Sequence, residues 1–401
     1  IVLHTLGRDD EAIPHLRAAS DQVDGTRTDV LRVLAAAYAS AGDQDSALAT
    51  AMQAVHTAER AGDRIEQAQA WRDLGLLHQH AARAQDAIGA WTTAIQLYEG
   101  EHAQAQVARL YCDVGTARKL LGQHPRALRD YEKALTALNL VDQADLETRG
   151  LVLSNAANAF AEQGDADSAD SFFNESIGLA DRLGDVGAAS IRRSNYAYFL
   201  VQTGRPRRAI SLLEEALRMS QKQGMPLQTA IQLDNLGLAQ DAVGDLEAAR
   251  TAHQQALDLL ETLDQPFWRI SAQINLGHTQ MAQGETAAAE ALIETALAAA
   301  REHEFVELSA RAAIELALIS IQRQAYERAQ TLLDDALGSA RRLDMRRWLA
   351  AALSAQSQLR AAQGDLPAAT STWEEAARYY NMLRMPPGKQ HPAWLNAQPK
   401  V

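Results

Sequence analysis

Four asparagines recur in one phase of this 401-residue sequence: Asn155, Asn195, Asn235 and Asn275, forty residues apart. Asp73 and Asp113 precede them in the same phase and Glu315 follows. The asparagine amide carries donors and an acceptor together, so a row of them can hold a peptide backbone whatever side chains that peptide bears. Two further rows flank this one. The first reads Leu151, Ile191, Ile231 and the second Asn158, Tyr198, Leu238, His278. Apolar residues gathered on one exposed face mark a binding surface. Arg32, Arg72, Arg109 and Lys119 form a separate basic cluster. It is a candidate carboxylate clamp, because guanidinium groups grip carboxylates through charge-assisted hydrogen bonds. The alternative is that these cations are solvated partners of Asp29, Asp73 and Asp113.

Bond-breaking chemistry leaves no comparable pattern. The eleven histidines are scattered, and His78 and His80, two residues apart, face different sides of a helix. No HExxH, P-loop, GxSxG or Cys–His arrangement occurs. Pairs such as Glu214–Glu215 and Asp334–Asp335 read as solvated helix surface. The single cysteine, Cys112, excludes an internal disulfide and a cysteine-rich zinc site. We expect no catalytic residue, no metal site and no cofactor; the chemistry is recognition, not enzymatic.

A scaffold with a forty-residue repeat must present these rows. In Ile231 to Ala256, Leu233, Leu236, Gly237 and Gln240 make one helical stripe. Gly244 breaks that helix, since glycine enters the left-handed region at little steric cost. Asp245 is placed to cap a second helix carrying Ala248, Ala249, Ala252 and Ala256. Such a hairpin cannot bury its stripe alone and must stack on copies of itself. The first small residue of each second helix marks the copies: Ala12, Ala47, Ala87, Ala127, Ala169, Ala209, Ala249, Ala289, Ala329 and Ala369. Five residues earlier stands the turn: Gly7, Gly42, Ala82, Gly122, Gly164, Gly204, Gly244, Gly284, Gln324 and Gly364. A non-glycine residue held left-handed costs about 1 kcal/mol, so Ala82 and Gln324 predict turns of different shape or under strain. The second hairpin helix from Asp9 to about Gln22 is orphaned, and nine fuller hairpins follow.

Trp71, Leu74, Gly75, His78, Ala87, Trp91 and Ala94 reproduce most of the W-x2-L-G-x2-Y…A…F…A signature, and Tyr111, Gly115, Ala127, Tyr131 and Ala134 repeat part of it. On these residues the chain resembles the tetratricopeptide repeat (TPR) family over about residues 5 to 384. The period departs from the family's usual 34. It resembles the longer variant of MalT-like signal-transduction ATPase regulators, LGN/Pins-type scaffolds and kinesin light chain. The resemblance implies an all-α, right-handed superhelix of about nine to ten helical hairpins. With the L-G pair numbered 7 and 8 in each first helix, positions 4, 7, 8 and 11 form the core stripe. Positions 2, 6, 9 and 13 fall about 180° away at 100° per residue. In the family that face lines a concave groove for extended peptides, and the asparagine row at position 6 resembles groove asparagines of kinesin light chain and LGN-type proteins. The competing reading is that each asparagine bonds a backbone group of the neighbouring repeat and sets the stacking angle.

The formal net charge of −13 argues against a nucleic-acid surface, which needs a basic stripe. No apolar run approaches the roughly 18 residues of a membrane span and no signal peptide is visible, so we expect a cytoplasmic protein. The 42-residue spacing between Ala127 and Ala169 puts two extra residues near Val141 to Thr148. Residues 1–384 read as an N-terminally truncated solenoid, with a fused N-terminal effector domain expected before Ile1. Residues 385–401, with Pro386, Pro387, Trp394 and Leu395, read as a Pro-rich tail. The leading functional reading is a scaffold that holds an extended segment of a protein or peptide ligand in the groove. The alternatives are the effector-sensing region of a bacterial MalT-like regulator and the docking arm of a larger enzyme.

Overall fold

A computed structural model describes residues 8–21, 27–81, 83–121, 123–141 and 145–385. Among them are nineteen α-helices and no strand. They run α1 (Asp9–Asp21), α2 (Thr28–Ser40), α3 (Gln44–Ala61), α4 (Arg64–His80), α5 (Ala84–Gly100), α6 (Gln104–Leu120), α7 (His124–Leu138) and α8 (Leu146–Gln163). Next come α9 (Ala166–Leu183), α10 (Val186–Gln202), α11 (Pro206–Lys222), α12 (Pro226–Val243), α13 (Leu246–Leu260) and α14 (Pro266–Ala282). The last are α15 (Thr286–Glu302), α16 (Val306–Gln322), α17 (Tyr326–Arg342), α18 (Arg346–Ala362) and α19 (Leu366–Met382). The architecture is an all-α helical repeat. The chain divides into two compact units, Ile1–Ala159 and Phe160–Val401.

The hairpins form because the small residues let paired helices approach. All ten marker alanines are buried. Four residues after the marker stands a large buried side chain in most copies, such as Trp91, Tyr131, Phe173, Leu213, Ile293 and Leu333. The signature glycine makes room for it: a Cβ on Gly75 would lie 2.3 Å from the Trp91 ring nitrogen. That Nε1 donates to the Arg72 carbonyl at 3.1 Å, so the indole is both packed and satisfied.

Turn chemistry follows the Gly-Asp pairs. Gly42, Gly164, Gly204, Gly244, Gly284 and Gly364 all have positive φ. Asp43, Asp165, Asp245 and Asp365 then accept a backbone N–H from the next helix's first turn. Gln324 adopts the same left-handed geometry at φ 60°, so this turn keeps its shape and carries the strain. Gly7, Ala82 and Gly122 lie outside the described residues. A second series of left-handed residues follows the second helices of the hairpins: Gly62, His102, Gly184, Gly224, Glu304, Asp344 and Arg384. Most of these are not glycine, so no glycine pattern reveals them.

Within the second unit the last hairpin meets the first residues of the unit. Arg384 Nη1 lies 2.9 Å from Asp167 Oδ2. A Cβ on Gly164 would lie 1.8 Å from the Met382 carbonyl oxygen. Arg347 of α18 reaches Tyr198 of α10. Met385 packs against the core cluster of α14 to α19. The rest of the Pro-rich tail, with Pro386, Pro387, Trp394 and Leu395, lies outside the described residues, as do 142–144 of the enlarged loop. No described helix is long and apolar enough to cross a membrane.

Candidate functional site

The helical period places positions 2, 6 and 9 of each first helix on one face, and the structure leaves the candidate row there half-buried. Ile191, Asn195 and Tyr198 on α10, and Ile231, Asn235 and Leu238 on α12, are all of this class. Asn155 and Asn158 on α8 are also half-buried, in the first unit. On α14, His278 is half-buried but Asn275 is buried at 4% exposure.

The position-6 side chains are mostly engaged, and their partners follow a rule. Position 6 of one hairpin meets position 5 of the hairpin before it. In the first unit Arg32 Nε donates to Asp73 Oδ2 at 2.6 Å, and Asn155 Nδ2 lies 3.4 Å from Cys112 Sγ. In the second unit Asn235 Nδ2 donates to Ser194 Oγ at 3.1 Å and Asn275 Nδ2 to Asp234 Oδ2 at 2.9 Å. The bonds run to neighbouring side chains, where the competing reading had them run to backbone. Asn195 departs from the rule, since its side chain makes no hydrogen bond among the described residues, and Glu315 departs by pairing with position 9 of the preceding hairpin. Asn158 donates to the Ser154 carbonyl of its own helix. His278 Nδ1 sits 3.1 Å from Glu315 Oε2. Burial would raise the Glu315 carboxyl, but the His278 and Arg311 charges outweigh it and hold that group below its usual range.

In the first unit two of the basic residues meet on one carboxylate. Arg32 binds Asp73 and Gln69, and Arg72 binds the other Asp73 oxygen at 2.7 Å. Asp29 pairs with Arg27 at 3.2 Å instead. Arg109 is exposed and Lys119 is half-buried. Between the Arg72 and Arg109 charges, burial still pushes the Asp113 carboxyl up to about 6.

One cluster is not among the residues expected from sequence. His253 of α13 is fully buried, with Nδ1 2.7 Å from Asp234 Oδ1 and Nε2 3.7 Å from Asp241 Oδ2. Thr279 Oγ1 donates to Asp241 at 2.7 Å. Burial opposes the imidazolium charge, yet the two carboxylates outweigh it and lift His253 to about 9. Gly237 provides the space, since a Cβ there would lie 2.5 Å from the ring. The signal was available: His253 occupies the position filled by Phe173, Leu213 or Ile293 elsewhere. With no exposed surface it cannot meet a substrate, and its role is internal. No cluster of three or more metal-ligating side chains occurs among the described residues.

Residues 118–324 match the model of the MalT-like TPR region. Among solved structures, the chain is similar to a Rap protein complexed with competence and sporulation factor, at 13% identity and a TM-score of 0.66. That match covers 89% of this chain and 98% of the other. It is similar also to the Rap conjugation gene regulator of plasmid pLS20 in complex with the Phr* peptide, at 15% identity and a TM-score of 0.61, over 84% of this chain and 96% of the other. The apo form of RapI matches at 14% identity and a TM-score of 0.55, over 69% and 98%. At these identities the likeness is one of fold. A comparison with curated proteins gives no match.

Proposed function

This chain belongs to the MalT-like TPR region family, and from that membership we propose that it is a peptide-binding repeat scaffold. Positions 2, 6 and 9 of the second unit hold an extended segment of a partner, in the groove that such repeats build. The observation that carries this reading is the side-chain set Ile191, Asn195, Tyr198, Ile231 and Leu238, which stays half-buried rather than joining the hairpin cores. Asn195 keeps its amide for a ligand backbone, with apolar neighbours on both sides to take alternate side chains. Similarity of fold to a Rap regulator solved with the Phr* peptide supports the same use. Selection of a displayed random-peptide library against the protein tests it. Recovered peptides should bind wild type and lose about tenfold or more affinity on Tyr198→Ala combined with Leu238→Ala, since each truncation removes buried contact. Peptides that bind both proteins equally would place the site elsewhere.

A second reading, sensing of a small effector, has one specific support. A crevice of about 300 Å³ opens between α13, α14 and α15, lined by Leu257, Leu276, Leu292, Gln273 and Arg269. It lies away from positions 2, 6 and 9.

A further inference from the structure

On the same face of the second unit, two guanidinium groups share one indole. Arg311 Cζ lies 5.1 Å from the Trp348 ring centroid and Arg347 Cζ lies 4.6 Å from it. Both cations and the ring are half-buried. Arg311 stands at position 2 of α16. Its Nη1 donates to Ser271 Oγ at 3.1 Å and its Nη2 to Asn275 Oδ1 at 2.7 Å. Asn275 is fixed in turn by Asp234, so Arg311 is braced from the preceding hairpin. Arg347 donates from Nη1 to Tyr198 Oη and lies 5.3 Å from that ring's centroid. Trp348 Nε1 donates to Glu307 Oε1 at 2.9 Å, which orients the indole. Two like charges are thus brought to one ring by groups from five first helices.

Neither guanidinium has an ion-pair partner among the described residues. Other arginines of this unit do: Arg193 pairs with Asp181 and Glu215, and Arg328 with Glu290 and Glu294. The nearby acids are committed otherwise, Glu315 to His278 and Glu307 to the Trp348 indole. A guanidinium carries five N–H donors, and the protein engages two on Arg311 and one on Arg347. Aromatic faces hold such cations without consuming their N–H edges. Among the described residues no carboxylate closes an ion pair with either group, although the Arg311 charge acts on Glu315 of the same helix, and paired donors of this kind match a carboxylate.

We propose that Arg311 and Arg347, held on Trp348 beside Tyr198, bind a carboxylate group of the peptide ligand. This rests on the peptide-binding reading and adds an anchor to it: the extended segment would be fixed at α16–α18 by its C-terminal carboxylate or by an acidic side chain.

Three synthetic random-peptide pools separate the outcomes: one free of Asp and Glu with a free C-terminus, the same pool amidated, and an amidated pool containing Asp and Glu. The readout is the Trp348 indole N–H signal in nuclear magnetic resonance spectra, assigned with Trp348→Phe, together with the affinity of each pool. Binding of the first pool and not the second assigns the terminal carboxylate, and binding of the third assigns a side-chain carboxylate. In either case Arg347→Gln should weaken binding about tenfold or more while Arg347→Lys loses less, the range expected for a charged hydrogen bond. Arg347 meets Tyr198 and Trp348, and a melting curve on each variant checks that the fold is kept. Equal binding of the neutral amidated pool, unmoved by Arg347→Gln, would overturn the carboxylate anchor and leave peptide binding standing. Binding of no pool at all would overturn both.

Discussion

His253 shows how one residue can keep the repeat's geometry and change its chemistry. It fills the layer that Phe173 and Leu213 fill in neighbouring hairpins, yet it enters as a cation between Asp234 and Asp241. Its folded value of about 9 lies above the roughly 6.5 of a free imidazole. The stabilisation is therefore complete below about pH 6.5 and is lost as pH rises through about 9. His253→Leu leaves two buried carboxylates without their cation and should destabilise by about 3–5 kcal/mol at pH 7. Melting curves from pH 6 to 10 check this: the gap between wild type and variant should narrow with rising pH, and a constant gap would mean that His253 packs as a neutral ring. The residue types of this cluster were legible in the sequence. Their convergence was not, because Asp234 and Asp241 read as ordinary helix polar positions until α13 is set against α12.

At the scale of the element, the hairpin was the most legible feature, since its determinants are local. A glycine at the helix end, an aspartate cap after it and an alanine five residues on can be read without tertiary information. The junctions between hairpins were less legible, because His102, Glu304 and Asp344 hold left-handed geometry without being glycine. The bonds from position 5 to position 6 were hidden by chemistry: Arg–Asp, Cys–Asn, Ser–Asn and Asp–Asn pairs look unrelated until the hairpins are stacked. Glycines of identical appearance also differ in their surroundings. A Cβ added at Gly244 would meet nothing within 4 Å, whereas one at Gly164 would strike the Met382 carbonyl. Gly244→Ala should cost about 1 kcal/mol, the left-handed penalty alone. Gly164→Ala adds a backbone collision and should cost several times as much. Thermal denaturation of the two variants compares them directly, and equal losses would mean that α19 does not rest on this turn.

At the scale of the whole molecule, the forty-residue period announced an all-α repeat, and the match to the MalT-like TPR region bears that out. What the period could not announce is contact between distant copies. Arg347 meets Tyr198 and Arg384 meets Asp167 across 149 and 217 residues, and nothing in either local sequence refers to the other. These contacts alter the meaning of the candidate row. Tyr198, read as a groove residue by its position alone, also supports the Arg347 guanidinium. Asn275, read as a ligand-facing amide, braces Arg311 and is buried. The row is therefore structural in part, and Ile191, Asn195, Ile231 and Leu238 are the half-buried members that we propose meet the ligand.

The most direct test of that face is photo-cross-linking with a random-peptide pool carrying benzoylphenylalanine, followed by mass-spectrometric mapping of the adducts. We expect adducts on α10 and α12 at positions 2, 6 and 9, centred on Ile191, Asn195 and Leu238, and suppressed by excess unlabelled pool. Adducts confined to the second helices of the hairpins, or to the crevice around Leu257 and Leu292, would contradict the account.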